Sequence, residues 1–255
     1  MNWSFEHDMV VRRFGSGPEL VWIHGLGEQS ASFDAIAAQL PGFTHVLPDL
    51  PGYGRSPWPA SLPAGDSLVY AAERLASWLG DRAPILAGHS LGGVLAQYVA
   101  ERIAVAGVID IDGNLTRGDC TFSARAIEYT PADFTARGFD VLRDEVYKSG
   151  IANPALRGYY AAMRAASPLV FHRHATDLVA VSTTETLVGR LAGLRAPVLF
   201  IAGVPGGICE RSRSLLTKHA VRWIGIDDSG HWPFIDQPDA FAGAVKQFTA
   251  SLPAS

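Results

Sequence analysis

The stretch Pro84-Ile85-Leu86-Ala87-Gly88-His89-Ser90-Leu91-Gly92-Gly93 decides the fold, because a strand pattern and a helix pattern meet at its serine. The apolar run before Gly88 is typical of a buried strand. After Ser90 the apolar residues recur at helical spacing, at Leu91, Val94, Leu95, Tyr98 and Val99. Ser90 therefore lies in the turn of a G-x-S-x-G pattern, where Gly88 and Gly92 supply the small residues that so tight a turn needs. We predict that the turn exposes the Ser90 hydroxyl above a sheet, beside helix N–H groups that can bind a developing negative charge.

The composition is that of an ordinary globular protein, with 255 residues, of which 48% are apolar and 18% are charged. The length fits one large α/β domain with an insertion. A net charge of -4 gives no basic surface, which argues against a nucleic-acid partner. The first residues do not have the pattern of a signal peptide, and no apolar run reaches membrane-spanning length. We therefore expect a cytoplasmic protein without membrane insertion, with Cys120 and Cys209 as reduced thiols.

Short apolar runs alternate with helical patterns as far as an apolar run at 107–111. This alternation predicts the α/β class, with a parallel sheet that has helices on both faces. From residue 115 to residue 191 the pattern is helical, with breaks at three prolines, Pro131, Pro154 and Pro168. Strand patterns resume at 197–202 and 221–226. We predict a core of residues 1–114 and 192–255, with residues 115–191 inserted as a helical cap over the carboxyl edge of the sheet.

The best candidate for a catalytic base is His231. A serine hydroxyl is a poor nucleophile until a base takes its proton. His231 follows the last predicted strand, so it belongs to the same edge of the sheet as Ser90. It also follows Ser90 in the chain, in the order of nucleophile, acid and histidine that this type of site uses.

Four motifs then carry a resemblance to a known family. They are His24-Gly25-Leu26-Gly27, Asp49-Leu50-Pro51-Gly52-Tyr53-Gly54-Arg55-Ser56, Gly88-His89-Ser90-Leu91-Gly92-Gly93 and Gly230-His231. The chain resembles the α/β-hydrolase superfamily, in the branch with a helical cap between strands six and seven. The resemblance implies a mostly parallel, eight-stranded sheet flanked by helices. It also implies an oxyanion hole made by the backbone N–H groups of Leu26 and Leu91, with His24 and His89 in structural roles.

The carboxylate that would complete a catalytic triad departs from the pattern of this family. Most relatives carry an aspartate a few residues after strand seven, but this chain has Gly-Val-Pro-Gly-Gly at 203–207, with Gly206 at the position of the acid. Asp112, directly after the strand at 107–111, is the candidate that we prefer, and Glu210 is the alternative. The order of the three residues along the chain fits both carboxylates.

These observations predict a serine hydrolase that acts on a small or medium, largely apolar ester or acyl compound through an acyl-enzyme. Carbon–carbon bond hydrolases, thioesterases and hydroxynitrile lyases share the motifs, and a non-catalytic ligand-binding protein on this fold is a further alternative. Aromatic side chains predicted to line the pocket are Tyr159, Phe171 and Trp232. No phosphate loop, dinucleotide fingerprint or metal-ligand spacing occurs, so we expect no cofactor and no metal. His172 and His174 diverge on a helix and are expected on a solvated face of the cap.

Overall fold

A computed structural model describes residues 2–253, and its centre is one sheet of eight strands. The strands are β1 (Asn2–Glu6), β2 (Met9–Gly15), β3 (Glu19–Ile23), β4 (Thr44–Asp49), β5 (Ile85–His89), β6 (Gly107–Ile111), β7 (Val198–Gly206) and β8 (Trp223–Gly230). Their order in the sheet is β1-β2-β4-β3-β5-β6-β7-β8. Strand β2 is antiparallel to both of its neighbours, and all other neighbours are parallel. The predicted mostly parallel, eight-stranded α/β sheet is confirmed.

Helices connect and flank the strands. They are α1 (Asp34–Ala38), α2 (Ser67–Leu79), α3 (Leu91–Ala100), α4 (Phe122–Ala126), α5 (Pro131–Asp133), α6 (Phe139–Gly150), α7 (Pro154–Met163), α8 (Pro168–Thr183), α9 (Leu187–Ala192), α10 (Glu210–Lys218), α11 (Pro233–Asp236) and α12 (Pro238–Ala250). The three prolines predicted as breaks each begin a helix, where the missing N–H costs nothing. Within residues 2–253 no helix combines the length and the apolar character needed to cross a membrane.

The centre of the sheet holds the segments that carry the candidate site. Every residue of β5 and β6 is buried, and α3 packs against β3, β5 and β6. Apolar side chains from the strands and the surrounding helices form one continuous core. Residues that follow β5 and β6 are therefore anchored by rigid elements, as a precise site requires.

Strands β7 and β8 extend further than the apolar runs at 197–202 and 221–226 predict. After a bulge between Gly203 and Pro205 they pair again, with Gly206 opposite Gly230. The added segment pairs through its backbone and is rich in glycine, so hydrophobic periodicity gives no sign of it. As a result, β8 ends directly before His231.

The segment between β6 and β7 is helical, as its sequence pattern indicated, and α8 packs against both α2 and α4. The expectation that His172 and His174 lie on a solvated face is wrong, because both are buried. His174 Nδ1 is hydrogen-bonded to the Tyr53 hydroxyl at 2.9 Å, and His172 Nε2 donates to the carbonyl oxygen of Tyr129 at 2.9 Å. These two hydrogen bonds hold α8 against the segments that carry Tyr53 and Tyr129.

Candidate active site

Ser90 lies in a strained turn between β5 and α3. Its backbone has φ 54° and ψ -121°, a conformation that a residue with a side chain adopts only when its surroundings enforce it. A Cβ atom on Gly88 would lie 2.0 Å from the carbonyl oxygen of Gly92, and one on Gly92 would lie 2.0 Å from that of Ile23. Only glycine fits at these two positions, so the sequence pattern has a direct steric cause.

His231 and Asp112 meet behind the serine. His231 and Ser90 line the same cavity, and His231 Nδ1 lies 3.5 Å from Asp112 Oδ2. The other carboxylate oxygen, Asp112 Oδ1, accepts from the amides of Gly203 at 3.3 Å and Ile208 at 3.1 Å. A separation of 3.5 Å is slightly longer than a typical N–H···O hydrogen bond.

The segment after β7 leaves room for the carboxylate of Asp112, which directly follows β6. A Cβ atom on Gly207 would lie 2.3 Å from Asp112 Oδ2, so this glycine makes room for the carboxylate. Burial raises the pKa of Asp112, while the neighbouring His231, His89 and the amide of Ile208 act in the opposite direction. The alternative acid, Glu210, is exposed at the first residue of α10 and lines no part of the cavity at Ser90.

Asn114 is a polar neighbour of Ser90 that the sequence analysis did not single out. The Ser90 hydroxyl donates to Asn114 Oδ1 at 3.1 Å, and Asn114 Nδ2 donates to the carbonyl oxygen of Asp119 at 2.9 Å. No hydrogen bond joins Ser90 to His231 among the described residues, although both line the same cavity. The one available signal was position, since Asn114 stands two residues after Asp112 at the same sheet edge.

The two predicted oxyanion donors belong to two different segments near Ser90. Leu26 belongs to the loop after β3, and Leu91 is the first residue of α3. His24 holds this loop, because its Nε2 accepts from the amide of Leu50 at 3.0 Å and its Nδ1 donates to the carbonyl oxygen of Gly25 at 2.9 Å. Burial lowers the pKa of His24, which agrees with the neutral ring that these partners require.

A buried ion pair, Glu28 with His89, adjoins the same loop and was not predicted. Glu28 accepts hydrogen bonds from the amide of Gly25 at 2.8 Å, from the indole N–H of Trp232, and from His89 Nδ1 at 2.9 Å. Burial opposes ionisation, but the charge and the hydrogen bond of His89, together with the other two donors, lower the pKa of Glu28 to about 2. Burial likewise opposes protonation of His89, but the Glu28 carboxylate raises its pKa.

Two adjoining cavities open at Ser90 and His231. The one that Ser90 lines has a volume of about 20 Å³, and its neighbour has about 280 Å³. Two of the predicted pocket residues, Tyr159 and Trp232, line the smaller cavity. Phe171 does not line either cavity, because its ring is fully buried against Phe134 and belongs to the core of the helical segment. Among residues 2–253, no three His, Cys, Asp or Glu side chains are grouped so as to hold a metal ion.

Asp110, two residues before Asp112, should make stability depend on pH. Burial raises its pKa to about 8, with only the Gly113 amide as a donor, so the carboxyl is neutral in the folded protein below that pH. In the unfolded chain it ionises near pH 4. The neutral Asp110 carboxyl therefore contributes its full stability below about pH 4. As the pH rises from about 4 to about 8 the unfolded chain loses this proton and the folded protein keeps it, so the free energy of unfolding decreases. We expect Asp110→Asn to stabilise the protein at pH 8.5 relative to wild type by on the order of a few kcal/mol.

Urea unfolding of Asp110→Asn and wild type at pH 5 and pH 8.5 measures this effect. The other buried carboxyl groups are present in both proteins, so their contributions cancel when the two free energies of unfolding are subtracted. Asp81→Asn, at an exposed position, serves as the control and should show no such trend. If the free energies of unfolding of Asp110→Asn and wild type differ by the same amount at both pH values, the raised pKa of Asp110 is contradicted.

The site combines a strained serine at a strand-to-helix turn, a histidine in the same cavity and a buried carboxylate behind that histidine. This combination is typical of serine hydrolases built on an α/β sheet. The sequence matches the model of the "Alpha/beta hydrolase family" over residues 20–244, and the chain belongs to that family.

Curated relatives and solved structures agree with this assignment. The chain is 27% identical over 266 residues to a pimeloyl-[acyl-carrier protein] methyl ester esterase of Xylella fastidiosa, a match that covers 96% of this chain and 100% of the relative. It is 35% identical over 120 residues to lipase LipV of Mycobacterium tuberculosis, which covers 43% of this chain and 46% of the lipase. A thermophilic esterase from Thermogutta terrifontis superposes with a TM-score of 0.77 at 20% identity, over 95% of this chain and 93% of the esterase. The chain is an esterase-like hydrolase, as its sequence predicted.

Proposed function

We propose that the protein is a serine esterase in which Ser90 attacks the ester carbonyl carbon. His231 accepts the proton of Ser90, and Asp112 orients His231 and stabilises its protonated form. The backbone N–H groups of Leu26 and Leu91 bind the oxyanion of the tetrahedral intermediate. The observation that carries the proposal is that the strained turn at Ser90 faces a cavity shared with His231, with Asp112 3.5 Å behind the imidazole.

The reaction takes place in two displacements. In the first, the protonated His231 gives its proton to the departing alkoxide, and the acyl group remains on Ser90. In the second, His231 takes a proton from water while the water oxygen attacks the acyl carbon. Collapse of that intermediate returns the proton to Ser90 and releases the acid. Asn114 holds the resting hydroxyl, and substrate binding releases it towards His231.

We further propose that residues 115–191 form a cap over the site. This segment supplies six residues to the lining of the cavity at Ser90, namely Asp119, Thr121, Phe122, Ser123, Tyr159 and Leu178. They enclose the reacting atoms on the side away from the sheet. Such enclosure strengthens electrostatic interactions with the intermediate because it excludes water.

The cavities favour a neutral ester with one compact end. A volume of about 20 Å³ at Ser90 holds about one water molecule, whereas the adjoining 280 Å³ holds a larger group. No lysine or arginine lines either cavity in the described chain, and three carboxylates do, those of Glu28, Asp119 and Asp236. A substrate carboxylate would find no lysine or arginine there, and His89, which lines the cavity at Ser90, is already paired with Glu28. A methyl ester meets these requirements, and the Xylella fastidiosa relative is named for methyl ester hydrolysis.

The proposed setting is the cytoplasm, with a small molecule as substrate. Both cysteines, Cys120 and Cys209, are free thiols. Unpaired cysteines are typical of a reducing compartment.

Phe122 should limit the size of the substrate. Its side chain lines the cavity at Ser90, the 280 Å³ cavity and a further cavity of about 240 Å³ between α4 and α6. We expect wild type to hydrolyse short-chain p-nitrophenyl esters, and Phe122→Ala to open the third cavity to the site. The ratio of kcat/KM for octanoate to kcat/KM for acetate should then rise roughly tenfold or more, since each methylene contributes about 1 kcal/mol or more in a fitted pocket.

The matched control is Tyr147→Ala, another aromatic-to-alanine change, at a side chain on α6 that is 54% exposed. It should leave the ratio unchanged. If wild type hydrolyses none of the esters, the proposed function is wrong. If wild type is active and Phe122→Ala has the same chain-length profile, the function stands and the role of Phe122 is wrong.

A further inference from the structure

We propose that Glu28 and His89 are positioning residues, a permanently charged pair that fixes three loops of the active site. This inference rests on the proposed esterase function. It concerns residues outside the triad and the oxyanion hole. Neither side chain is exposed beyond 2%, so their role is not one of surface charge.

The hydrogen-bond partners fix the charge state of the pair. His89 Nδ1 faces a carboxylate oxygen of Glu28 at 2.9 Å, and His89 Nε2 faces the backbone carbonyl oxygen of His231 at 2.7 Å. The carbonyl oxygen can only accept, and the Glu28 carboxylate, whose two oxygens also accept from the Gly25 amide and the Trp232 indole, is an acceptor as well, so we assign a proton to both ring nitrogens. Glu28 in turn meets only donors. The pair is therefore an imidazolium and a carboxylate, each with its partners satisfied.

The pair joins the three segments that catalysis has to align. Glu28 binds the amide of Gly25, next to the proposed oxyanion donor Leu26. His89 immediately precedes Ser90 and holds the backbone of His231. The indole of Trp232 ties the residue after His231 to the same carboxylate. A buried, charge-assisted network of this kind is stronger than neutral hydrogen bonds, and small displacements of catalytic groups are costly in rate.

The pair also places a positive charge beside the proposed base. The ring centroids of His89 and His231 are 4.7 Å apart, whereas Glu28 contacts the far side of His89. This contact between the rings, together with the hydrogen bond from His89 to the His231 backbone, helps to hold the His231 imidazole in place. Other titratable groups around the two rings and the Glu28 carboxylate are Asp112, Asp110, Asp119, Asp236, His24 and Tyr159.

The test compares Glu28→Gln, His89→Gln and the double variant with wild type. We expect each single variant to lower kcat about 10- to 100-fold with a smaller change in KM, as is usual for residues that hold catalytic groups in place. The double variant should be no slower than the slower single variant, since the two residues act as a unit.

His45→Gln is the matched control, because His45 is also a buried histidine with two hydrogen-bond partners, Trp22 and Leu40, but it lies away from the cavities. It should lower the melting temperature and leave kcat as in wild type. A second measurement is spectroscopic: the ¹⁵N spectrum of the wild-type histidines at pH 8 should show one doubly protonated ring, and that signal should be absent from the spectrum of Glu28→Gln.

The outcomes separate the two proposals. A wild type without esterase activity, or with activity that survives Ser90→Ala, means that the proposed function fails. An active wild type whose Glu28→Gln and His89→Gln variants keep its kcat overturns the positioning role. Absence of a doubly protonated histidine at pH 8 overturns the charged pair, whether or not the variants fold.

Discussion

Replacing Ser90 with alanine is expected to lower kcat for ester hydrolysis roughly a million-fold, because the nucleophile and its base act as a unit. The variant should remain folded, since alanine removes a single oxygen whose partner, Asn114, keeps its other hydrogen bond to Asp119. Initial rates with p-nitrophenyl butyrate, with circular dichroism as a check on folding, give the result.

Ser56→Ala is the control for this experiment. Ser56 is also buried and hydrogen-bonded, but it lies in the loop after β4 and lines neither cavity. It should lose some stability and keep most of its activity. Equal rates for Ser90→Ala and wild type would exclude Ser90 as the nucleophile.

Asp112→Asn is expected to lower kcat by about 10³- to 10⁴-fold while the protein stays folded. An amide at this position no longer stabilises protonated His231, and its NH₂ group favours the wrong tautomer of the ring. The amides of Gly203 and Ile208, which now donate to Asp112 Oδ1, can donate equally to the amide oxygen of asparagine. Steady-state kinetics across pH 5 to 9 measure the loss.

Glu210→Gln provides the comparison that decides between the two carboxylates of the sequence analysis. Glu210 is exposed on α10, so this substitution should change kcat by less than about twofold. The opposite pattern, with activity lost in Glu210→Gln and kept in Asp112→Asn, would assign the acid to Glu210.

Features that depend on local pattern could be predicted from the sequence. The alternation of apolar runs and helical spacing is a property of neighbouring residues, and it gave the class of the fold and the helical segment between β6 and β7. The turn at Ser90 is equally local, because Gly88 and Gly92 lie within two residues of the serine and their lack of side chains is what the turn requires.

Features that depend on contacts across the chain could not be predicted in this way. The hydrogen bond between Glu28 and Trp232 joins residues 204 positions apart, and that between His89 and His231 spans 142 positions. A glutamate in a polar loop looks solvated in sequence, although here it is buried. Phe171 was assigned to the pocket on its aromatic character alone, and helix packing directs it into the core instead.

The position of the acid could be predicted from the sequence only in part. The sequence placed Asp112 at the end of a central strand and showed glycines where a carboxylate is usual, but the order of residues allowed Glu210 as well. The pairing of β6 with β7 brings the amides of Gly203 and Ile208 to Asp112, and Gly207 leaves the space that its carboxylate occupies. Those contacts depend on how the strands pair in the sheet, which the local sequence pattern does not indicate.

The central proposal is that Ser90 is a hydroxyl nucleophile activated by His231. A fluorophosphonate probe tests it most directly, because it reacts covalently with such serines, and peptide mass spectrometry locates the adduct. We predict one adduct per chain, on Ser90, with labelling abolished in Ser90→Ala and strongly slowed in His231→Ala. Folded wild-type protein that carries no adduct on Ser90, or that is labelled at another residue, would contradict the proposal.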